Sequence, residues 1–274
     1  MSGAAAERIT ATILGCGSSG GVPRVGNVWG ACDPTNPRNR RRRCSLLIEG
    51  RRAGSDGVTR VLFDTGCDLR EQLLSAGIAA LDAVLYTHAH ADHIHGIDDL
   101  RMLALIARKR VPVYYSAETG ERLQAAFAYC FETPAGSSYP PILEGRLISS
   151  GRELTIEGEG GAITIMPFDQ VHGEIMSLGF RVGGLAYSCD LSDIPDHAIR
   201  HVEGLECWIV DALRPTPHVS HFSVADALAW IDRVRPVRAV LTNMTAELDY
   251  ETLDRETPAN VTPAFDGMVI ELDL

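Results

Sequence analysis

Short runs of β-branched and other apolar residues recur along the chain, and between them lie segments whose apolar residues are three or four positions apart. The first pattern is typical of buried strands and the second of amphipathic helices. The sequence predicts strands at residues 9–14, 45–48, 58–63, 83–86, 111–115, 162–167, 178–182, 185–188, 207–210 and 237–242. It predicts helices at residues 69–76, 98–108, 117–131, 224–234 and 250–256.

The order of these elements indicates the fold class. Strands in the first half follow one another with hairpin-like spacing, and the second half repeats a strand-rich stretch followed by strand, helix and strand. This order predicts an α/β protein with two packed sheets and helices outside them. Residues 134–141 are rich in turn formers but form too short a segment to be a linker. We therefore expect a single domain over residues 1–274.

Composition excludes several classes of protein. The 274 residues are 45% hydrophobic, enough for a proper core, and no run approaches the ~18 consecutive apolar residues of a membrane span. The net charge of −11 disfavours extensive binding to nucleic acid or to anionic membranes. The seven cysteines form no C-x-x-C pair, which argues against disulfides and a cysteine-built zinc site. We expect a cytoplasmic protein and leave a homodimer open.

The strongest chemical signal directly follows the predicted strand 83–86. There, His88, His90, Asp92 and His93 lie within six consecutive positions, and imidazole and carboxylate groups suit a divalent transition metal. Alternation along an extended segment places His88 and His90 on one side, while Asp92 and His93 follow where the chain turns. The sequence therefore predicts ligands for two neighbouring ions, rather than solvated loop histidines.

Two isolated residues follow later predicted strands. His172 comes after strand 162–167 and Asp190 after strand 185–188. Each alone is an ordinary polar loop residue, but with the first cluster they complete a site. We expect His172 to join His88 and His90 on one ion and Asp190 to bridge to the second ion.

The pattern H-x-H-x-D-H, followed by a lone His and a lone Asp, resembles the metallo-β-lactamase superfamily. Residues 15–23 (GCGSSGGVP), 39–45 (NRRRRCS), 62–66 (LFDTG) and 96–101 (GIDDLR) further resemble the subfamily that contains the phosphoribosyl cyclic phosphate phosphodiesterase of bacterial phosphonate breakdown. The resemblance spans nearly the whole chain. It implies an αβ/βα four-layer sandwich with a dinuclear metal site at one edge, and hydrolysis of a small phosphodiester.

The resemblance also assigns roles to single residues. Asp64 corresponds to the acid that orients a metal ligand, and metal-binding imidazoles need such support. His221, within Ser220-His221-Phe222-Ser223, corresponds to a histidine near the leaving group, where a protonated imidazole can act as general acid. We count His221 and the ligand Asp92 as catalytic, and His218 as a candidate substrate contact.

Two segments could contact a substrate phosphate. The glycine-rich loop at residues 15–21 offers backbone amides, chiefly around Ser18, Ser19 and Gly20, although a plain tight turn explains it equally well. Arg38 and residues 40–43 form a basic segment, from which Arg41 and Arg43 are the candidate phosphate contacts. A solvated basic face is the alternative. We expect substrate to bind between these segments and the metal ions.

The chain departs from the related phosphodiesterase at two places. Asn243 occupies the position where the relatives have a histidine ligand, and we expect its amide oxygen to be a metal ligand. An amide oxygen is a poorer ligand than imidazole for zinc-like ions, so the second ion should bind weakly or be a harder ion such as manganese. The relatives' cysteine-rich zinc site retains only Cys32 here, and Ala246 replaces its histidine, so we expect no structural zinc.

These observations predict a metal-dependent hydrolase that uses two zinc or manganese ions. The expected reaction is attack by a metal-bound hydroxide on a small cyclic or nucleotide-like phosphodiester. Two alternatives remain open. One is a ribonuclease of the tRNA 3′-end processing kind, although no long basic arm is apparent. The other is a non-catalytic, carrier-like relative, which Asn243 mildly favours. The metals alone would also suit thioester or lactam hydrolysis.

Overall fold

The computed structural model describes residues 4–274, which form two seven-stranded sheets packed face to face. The first sheet has the order β14-β1-β2-β3-β4-β5-β6 and the second the order β13-β12-β11-β10-β9-β8-β7. The strands are β1 Arg8–Gly15, β2 Ser45–Arg51, β3 Thr59–Phe63, β4 Ala83–Leu85, β5 Val111–Tyr115, β6 Leu143–Leu147, β7 Leu154–Ile156, β8 Ile163–His172, β9 Ile175–Val182, β10 Leu185–Ser188, β11 Cys207–Asp211, β12 Arg238–Thr242, β13 Val261–Pro263 and β14 Val269–Asp273.

The helices flank the sheets. They are α1 Leu69–Ala76, α2 Ala91–Ile94, α3 Leu100–Ala107, α4 Ala117–Phe131, α5 Val224–Val234 and α6 Tyr250–Glu256. Their ends carry the expected caps: Ser116 and Ser223 accept hydrogen bonds in the first turns of α4 and α5, and Gly77 ends α1 in a left-handed conformation.

Side-chain alternation within single strands creates the layers. In β2, Leu46 and Ile48 face the core between the sheets, whereas Leu47 faces the helices. Leu69 of α1 and Leu100 of α3 close the outer layer against the first sheet. On the other side, α5 packs against the second sheet. Each sheet is thus buried on both faces, which explains its nearly continuous apolar strands.

Parallel pairing brings the functional residues to one edge. The neighbours β3, β4, β5 and β6 run parallel, as do β10, β11, β12 and β13. The carboxyl ends of parallel strands share an edge, where α/β sheets commonly bind ligands. Strand β8 runs on to His172, so this residue ends a strand instead of lying in a loop after residue 167, as expected from the sequence.

Candidate metal centre

Six strands deliver polar side chains to the shared edge. Asp64 directly follows β3, the segment 87–93 follows β4, His172 ends β8, Asp190 follows β10, Asp211 ends β11 and Asn243 follows β12. Both sheets therefore contribute, and the resulting cluster bridges the two halves of the sandwich.

Three histidines form the first group of the cluster. His90 Nδ1 lies 2.9 Å from His88 Nε2 and 3.2 Å from His172 Nε2. Three imidazole nitrogens so close together suit a single transition metal ion. The structure thus brings together the three residues that the sequence predicts for one ion.

Asp190 connects this group to a second one. Its Oδ2 lies 3.9 Å from His88 Nε2 and 3.8 Å from His172 Nε2, while its Oδ1 lies 3.4 Å from His93 Nε2. Asp92 Oδ2 is 3.5 Å from the same His93 nitrogen. One carboxylate oxygen thus faces each group, which is the arrangement that a bridging ligand needs.

Two buried atoms at the centre of the cluster indicate whether these residues are suited to bind metal ions. His93 Nε2 and Asp190 Oδ1 are inaccessible to solvent and have no hydrogen-bond partner within the described residues. Leaving such atoms unsatisfied is costly, and native proteins rarely do so without a reason. Coordination to a metal ion would satisfy both atoms, so the donor set fits divalent ions.

Further hydrogen bonds orient the ligands. Buried Asp64 accepts a hydrogen bond from His93 Nδ1 at 2.7 Å and two from Thr87, through its backbone N–H and its hydroxyl, both at 2.8 Å. On the other sheet, His172 Nδ1 donates to the carbonyl oxygen of Ser220 at 2.6 Å. Each contact fixes a proton on Nδ1 and leaves Nε2 free to bind metal.

Glycine permits the close packing that places Asp92. A Cβ on Gly66 would lie 2.2 Å from the carbonyl oxygen of Asp92, and a Cβ on Gly96 would lie 2.1 Å from the carbonyl oxygen of Gly66. Both glycines belong to motifs singled out in the sequence. Their role here is to let the loop after β3 press against α2.

Asp211 is a site residue that the sequence analysis missed. It is fully buried and accepts a hydrogen bond from His221 Nδ1 at 2.8 Å and one from the Asn243 amide at 3.2 Å. Its position as the only acid of an apolar strand, at the carboxyl end, is the same signal that pointed to Asp190. Asp211 therefore orients His221 at the edge of the metal cluster.

The protonation of these groups depends on burial and on their partners. Burial lowers the pKa of His88 and of His172, which favours the neutral imidazole that binds metal. Burial raises the pKa of Asp211 to about 7, although its hydrogen bond with His221 opposes this shift. Burial lowers the pKa of His221, but Asp211 outweighs this effect and raises it overall. The His221–Asp211 pair therefore retains a proton near neutral pH.

The position of Asn243 argues against its predicted role as a ligand. Its amide nitrogen donates to Asp211, while its amide oxygen lies 3.8 Å from the thiol of Cys44. An amide nitrogen does not coordinate a metal. In this orientation Asn243 supports Asp211 instead of supplying an oxygen to the second ion.

Burial corrects the expectation that Arg41 contacts substrate. Arg41 is only 2% exposed, and its guanidinium donates to the carbonyl oxygens of Thr245 at 3.2 Å and Leu248 at 2.7 Å. One of its guanidinium nitrogens also lies 3.8 Å from the sulfur of Cys32. Arg41 therefore ties loops together, and the lack of a structural zinc stays a prediction.

The other proposed substrate contacts are also engaged in part. Arg43 forms an ion pair with Asp68, at 2.9 Å, and donates to the carbonyl oxygen of Ser19. In the glycine-rich loop, the amides of Gly17, Ser18 and Gly21 donate to backbone carbonyls. The amide of Cys16 donates to the Asp266 carboxylate at 3.2 Å, and between residues 16 and 21 only the amides of Ser19 and Gly20 have no acceptor among the described residues. This hydrogen bonding favours a plain tight turn over an anion-binding loop.

His218, the remaining candidate substrate contact, lies beside His221, with ring centroids 5.2 Å apart.

A cavity of about 240 Å³ opens directly at the first histidine group. His88 and His90 line it together with Glu118, Thr119 and Arg122 of α4 and Met176 of β9. None of its lining residues comes from segments 15–21 or 40–43, so the space beside these histidines does not lie where the sequence led us to expect the substrate.

Comparison with known proteins identifies the family. The model of the beta-lactamase superfamily domain matches residues 59–244, from β3 to just beyond β12. The chain belongs to the metallo-β-lactamase superfamily. This membership and the paired sheets confirm the expected α/β sandwich.

The chain is similar to three known proteins of different kinds. A crystal structure of a diphosphatase from the PhnP family superimposes with a TM-score of 0.84 and 33% identity, over 97% of this chain and 98% of that one. An octanoyltransferase of Porphyromonas gingivalis is 30% identical over 95% of this chain and 51% of its own length. A ribonuclease Z of a Mycobacterium species is 29% identical over 50% of this chain and 54% of its own.

The chain therefore spans about half the length of these two curated relatives. Within residues 4–274, no helix combines the length and the apolar character needed to cross a bilayer.

Proposed function

We propose that this metal-dependent hydrolase is a phosphodiesterase that cleaves a small cyclic or nucleotide-like phosphodiester with two zinc or manganese ions. The observation that carries the proposal is the combination of the His and Asp cluster with a small adjoining cavity and a separate proton-holding pair, His221 and Asp211. The likeness to a PhnP-family diphosphatase over 97% of the chain supports phosphorus chemistry.

The protein's ligands divide into two sets. His88, His90 and His172 would hold one ion, Asp92 and His93 the other, and Asp190 both. When bound, the ions would supply an activated water nucleophile and neutralise charge that develops on the phosphoryl oxygens. Asp64 and the carbonyl of Ser220 keep two of these imidazoles in the tautomer that binds metal.

His221 serves the leaving group. Its Nδ1–H is held by Asp211, which leaves Nε2 to carry the proton that the departing alkoxide oxygen needs. The P–O bond to the leaving group breaks as this proton transfers, and the alcohol leaves neutral. The buried Asp211 carboxylate then stabilises the imidazole in the orientation for reprotonation.

A second candidate is cleavage of RNA, favoured by the sequence similarity to ribonuclease Z. The net charge of −11 and the cavity of about 240 Å³ favour a small substrate instead. A precursor tRNA cleavage assay, with binding measured between ~50 and ~200 mM salt, distinguishes the two candidates. Tight, salt-sensitive tRNA binding with 3′-end cleavage would favour the ribonuclease.

The direct test combines metal analysis with turnover. Purified enzyme is stripped with a chelator, reloaded with zinc or manganese, and assayed with bis(p-nitrophenyl) phosphate. We expect turnover only after reloading, and we expect His88→Ala to lose both metal and activity. The matched control is His95→Ala, because His95 is exposed and lies outside the cluster. Full activity of the stripped enzyme, or no activity with either ion, would contradict the proposal.

A further inference from the structure

Strand β9 contacts both ligand-bearing segments at two successive residues, Ser177 and Leu178. The Ser177 hydroxyl donates a hydrogen bond to the backbone carbonyl oxygen of Asp190 at 2.7 Å. The next residue, Leu178, donates its backbone N–H to the carbonyl oxygen of Thr87 at 2.9 Å. Thr87 directly precedes the ligand His88, so one short part of β9 is bonded to the backbone of both segments.

Buried side chains hold the peptide group between Asp190 and Leu191 at both of its polar ends. Its carbonyl oxygen accepts the hydrogen bond from Ser177 of β9, and its N–H donates to Oδ2 of Asp211, which ends β11, at 3.2 Å. Strands β9 and β11 flank β10, which leads into Asp190. The chain that continues β10 is therefore bonded from both sides, and the direction in which the Asp190 side chain leaves the backbone is set.

A second buried side chain orients the Ser177 hydroxyl. Gln170 lies directly opposite on β8, and its amide nitrogen donates to Ser177 Oγ at 3.3 Å. A Cβ on Gly179 would lie 2.4 Å from Oε1 of Gln170, so the glycine provides the space for this amide. Because Gln170 donates to the hydroxyl oxygen, the hydroxyl hydrogen is directed to the carbonyl of Asp190.

We propose that Ser177 is a positioning residue of the metal centre, whose hydroxyl holds the Asp190 carboxylate where it faces both ligand groups. The inference rests on the division of the ligands between two ions in the proposed function, and it does not depend on which ester is cleaved. Bridging requires accurate placement, since the groups of a functional site must be held to within about 0.5 Å of the productive geometry.

Loss of this hydrogen bond should affect the two ions unequally. The first ion has three histidine ligands in addition to Asp190, whereas the second has only Asp92 and His93 in addition to it. Asp190 therefore supplies a larger share of the ligands of the second ion. A carboxylate that is less firmly held weakens that ion more than the first.

The test is a metal titration of matched variants. Calorimetry measures the binding of zinc alone and of manganese alone to chelator-stripped wild type, Ser177→Ala and Ser177→Thr, of which the last keeps the hydroxyl. The control is Thr59→Val. Thr59 is buried, and its hydroxyl donates to the carbonyl oxygen of Gly161 at 2.6 Å, but it begins β3 at the end of the strand away from Asp64.

We expect Ser177→Ala to weaken the second ion ~10- to 100-fold, the usual effect of removing a group that orients a metal ligand, and the first ion much less. Ser177→Thr should keep nearly the affinities of the wild type, and Thr59→Val should change neither. Unchanged second-ion affinity in Ser177→Ala, equal weakening of both ions, or the same loss in Thr59→Val would overturn the inference.

Electron paramagnetic resonance of the manganese-loaded protein reports on the bridge without any substrate. Two manganese ions that share a carboxylate give a spin-coupled spectrum, so at equal manganese content Ser177→Ala should lose coupled signal and gain signal from isolated ions. Gln170→Met removes the donor to Ser177 Oγ but keeps the hydroxyl, and it should show a smaller change in the same direction. A fully coupled spectrum in both variants would overturn the inference, and Gln170→Met decides it if Ser177→Ala does not fold.

These measurements also separate the inference from the proposed function. Selective loss of the second ion in Ser177→Ala, in a protein that does not hydrolyse bis(p-nitrophenyl) phosphate, would support the positioning role and refute the phosphodiesterase. Turnover by a wild-type enzyme whose second ion is unaffected by Ser177→Ala would refute the positioning role alone.

Discussion

The segment after β4, residues 87–93, and the segment before β2, residues 40–43, contain the densest groups of ionisable side chains. The two groups have different surroundings in the folded protein. Residues 87–93 place imidazole and carboxylate side chains at the shared strand edge, where they converge with Asp190 and where His93 Nε2 has no hydrogen-bond partner among the described residues. Residues 40–43 carry long guanidinium side chains, and three of the four find partners inside the protein: Arg41 with backbone carbonyls, Arg42 with Asp266 and Arg43 with Asp68.

This difference shows that a dense group of charged residues in a sequence can predict either a functional site or a set of structural contacts. A cluster of ligand-type residues on a short loop has little freedom to find other partners, so convergence is expected. Arginine side chains are long, so their guanidinium groups can bind carbonyl oxygens or carboxylates of residues far away in the sequence. The contacts that each side chain makes in the folded structure, more than residue type, distinguish a site from a support.

The largest expected effect comes from removing the residue shared by both ligand sets. Asp190→Ala should lower metal content and abolish hydrolysis, a loss of ~1,000-fold or more, because no neighbouring acid can replace a carboxylate that faces both groups. Metal analysis and turnover of bis(p-nitrophenyl) phosphate measure this. Asp193→Asn is the control, since that side chain bonds the backbone of Ile194. Full metal loading in Asp190→Ala would remove Asp190 from the site.

The next effect separates proton donation from metal binding. His221→Ala should keep nearly normal metal content but reduce turnover ~100-fold on a nucleoside 2′,3′-cyclic phosphate, whose alkoxide leaving group needs a proton. The loss should be smaller with p-nitrophenolate, which leaves without one. His197→Ala, an exposed histidine paired with Asp169, should change neither rate. Equal losses on both substrates would indicate that His221 only positions the substrate.

Arg41 tests the supporting role of the arginine segment. Arg41→Ala should destabilise the protein by about 2–4 kcal/mol, because two buried carbonyls lose their donor. Arg40→Ala, at an exposed position, should stay within about 0.5 kcal/mol. Denaturant unfolding gives both values. An Arg41→Ala enzyme of unchanged stability but weakened substrate binding would restore the role in phosphate recognition that its burial argues against.

Asn243 gives the smallest and most selective effect. Asn243→His should tighten the second ion ~10-fold, since imidazole is the better ligand for borderline-soft ions, and histidine tolerates the positive φ of 60° found here. Asn243→Ala should leave that affinity unchanged, because the amide nitrogen faces Asp211. Metal titration compares both with the wild type. Loss of the second ion in Asn243→Ala would show that the amide oxygen is a ligand after all.

Most of the fold could be predicted because its strands are buried on both faces and stand out as apolar runs. The predicted strands and helices all occur, with small differences at their ends. The strands that were missed lie at or next to sheet edges. In β6, four of five residues are exposed, and in β14 only Ile270 and Leu272 are buried, so neither has a continuous apolar signal.

The candidate site also has a part that could be predicted from the sequence and a part that could not. Its ligand types are local in the sequence, and strand ends indicate where they meet. The partners of Arg41 lie more than 200 positions away, at Thr245 and Leu248, and no local pattern specifies such a contact. Asp211 could have been found, because an isolated acid that ends a wholly apolar strand is costly to bury without a purpose.

The candidate metal ligands come from both sheets, so the two halves of the molecule must pack together before the metal centre is complete. His88, His90, Asp92 and His93 come from the first sheet, whereas His172 and Asp190 come from the second. Neither half can build the complete metal centre alone, so ion affinity is coupled to the docking of one half on the other. The last strand, β14, follows the second half in the chain but pairs with β1 in the first sheet. The two halves are therefore joined at one side by strand β14 and, when metal is bound, would also be joined at the shared edge by ions that take ligands from both halves.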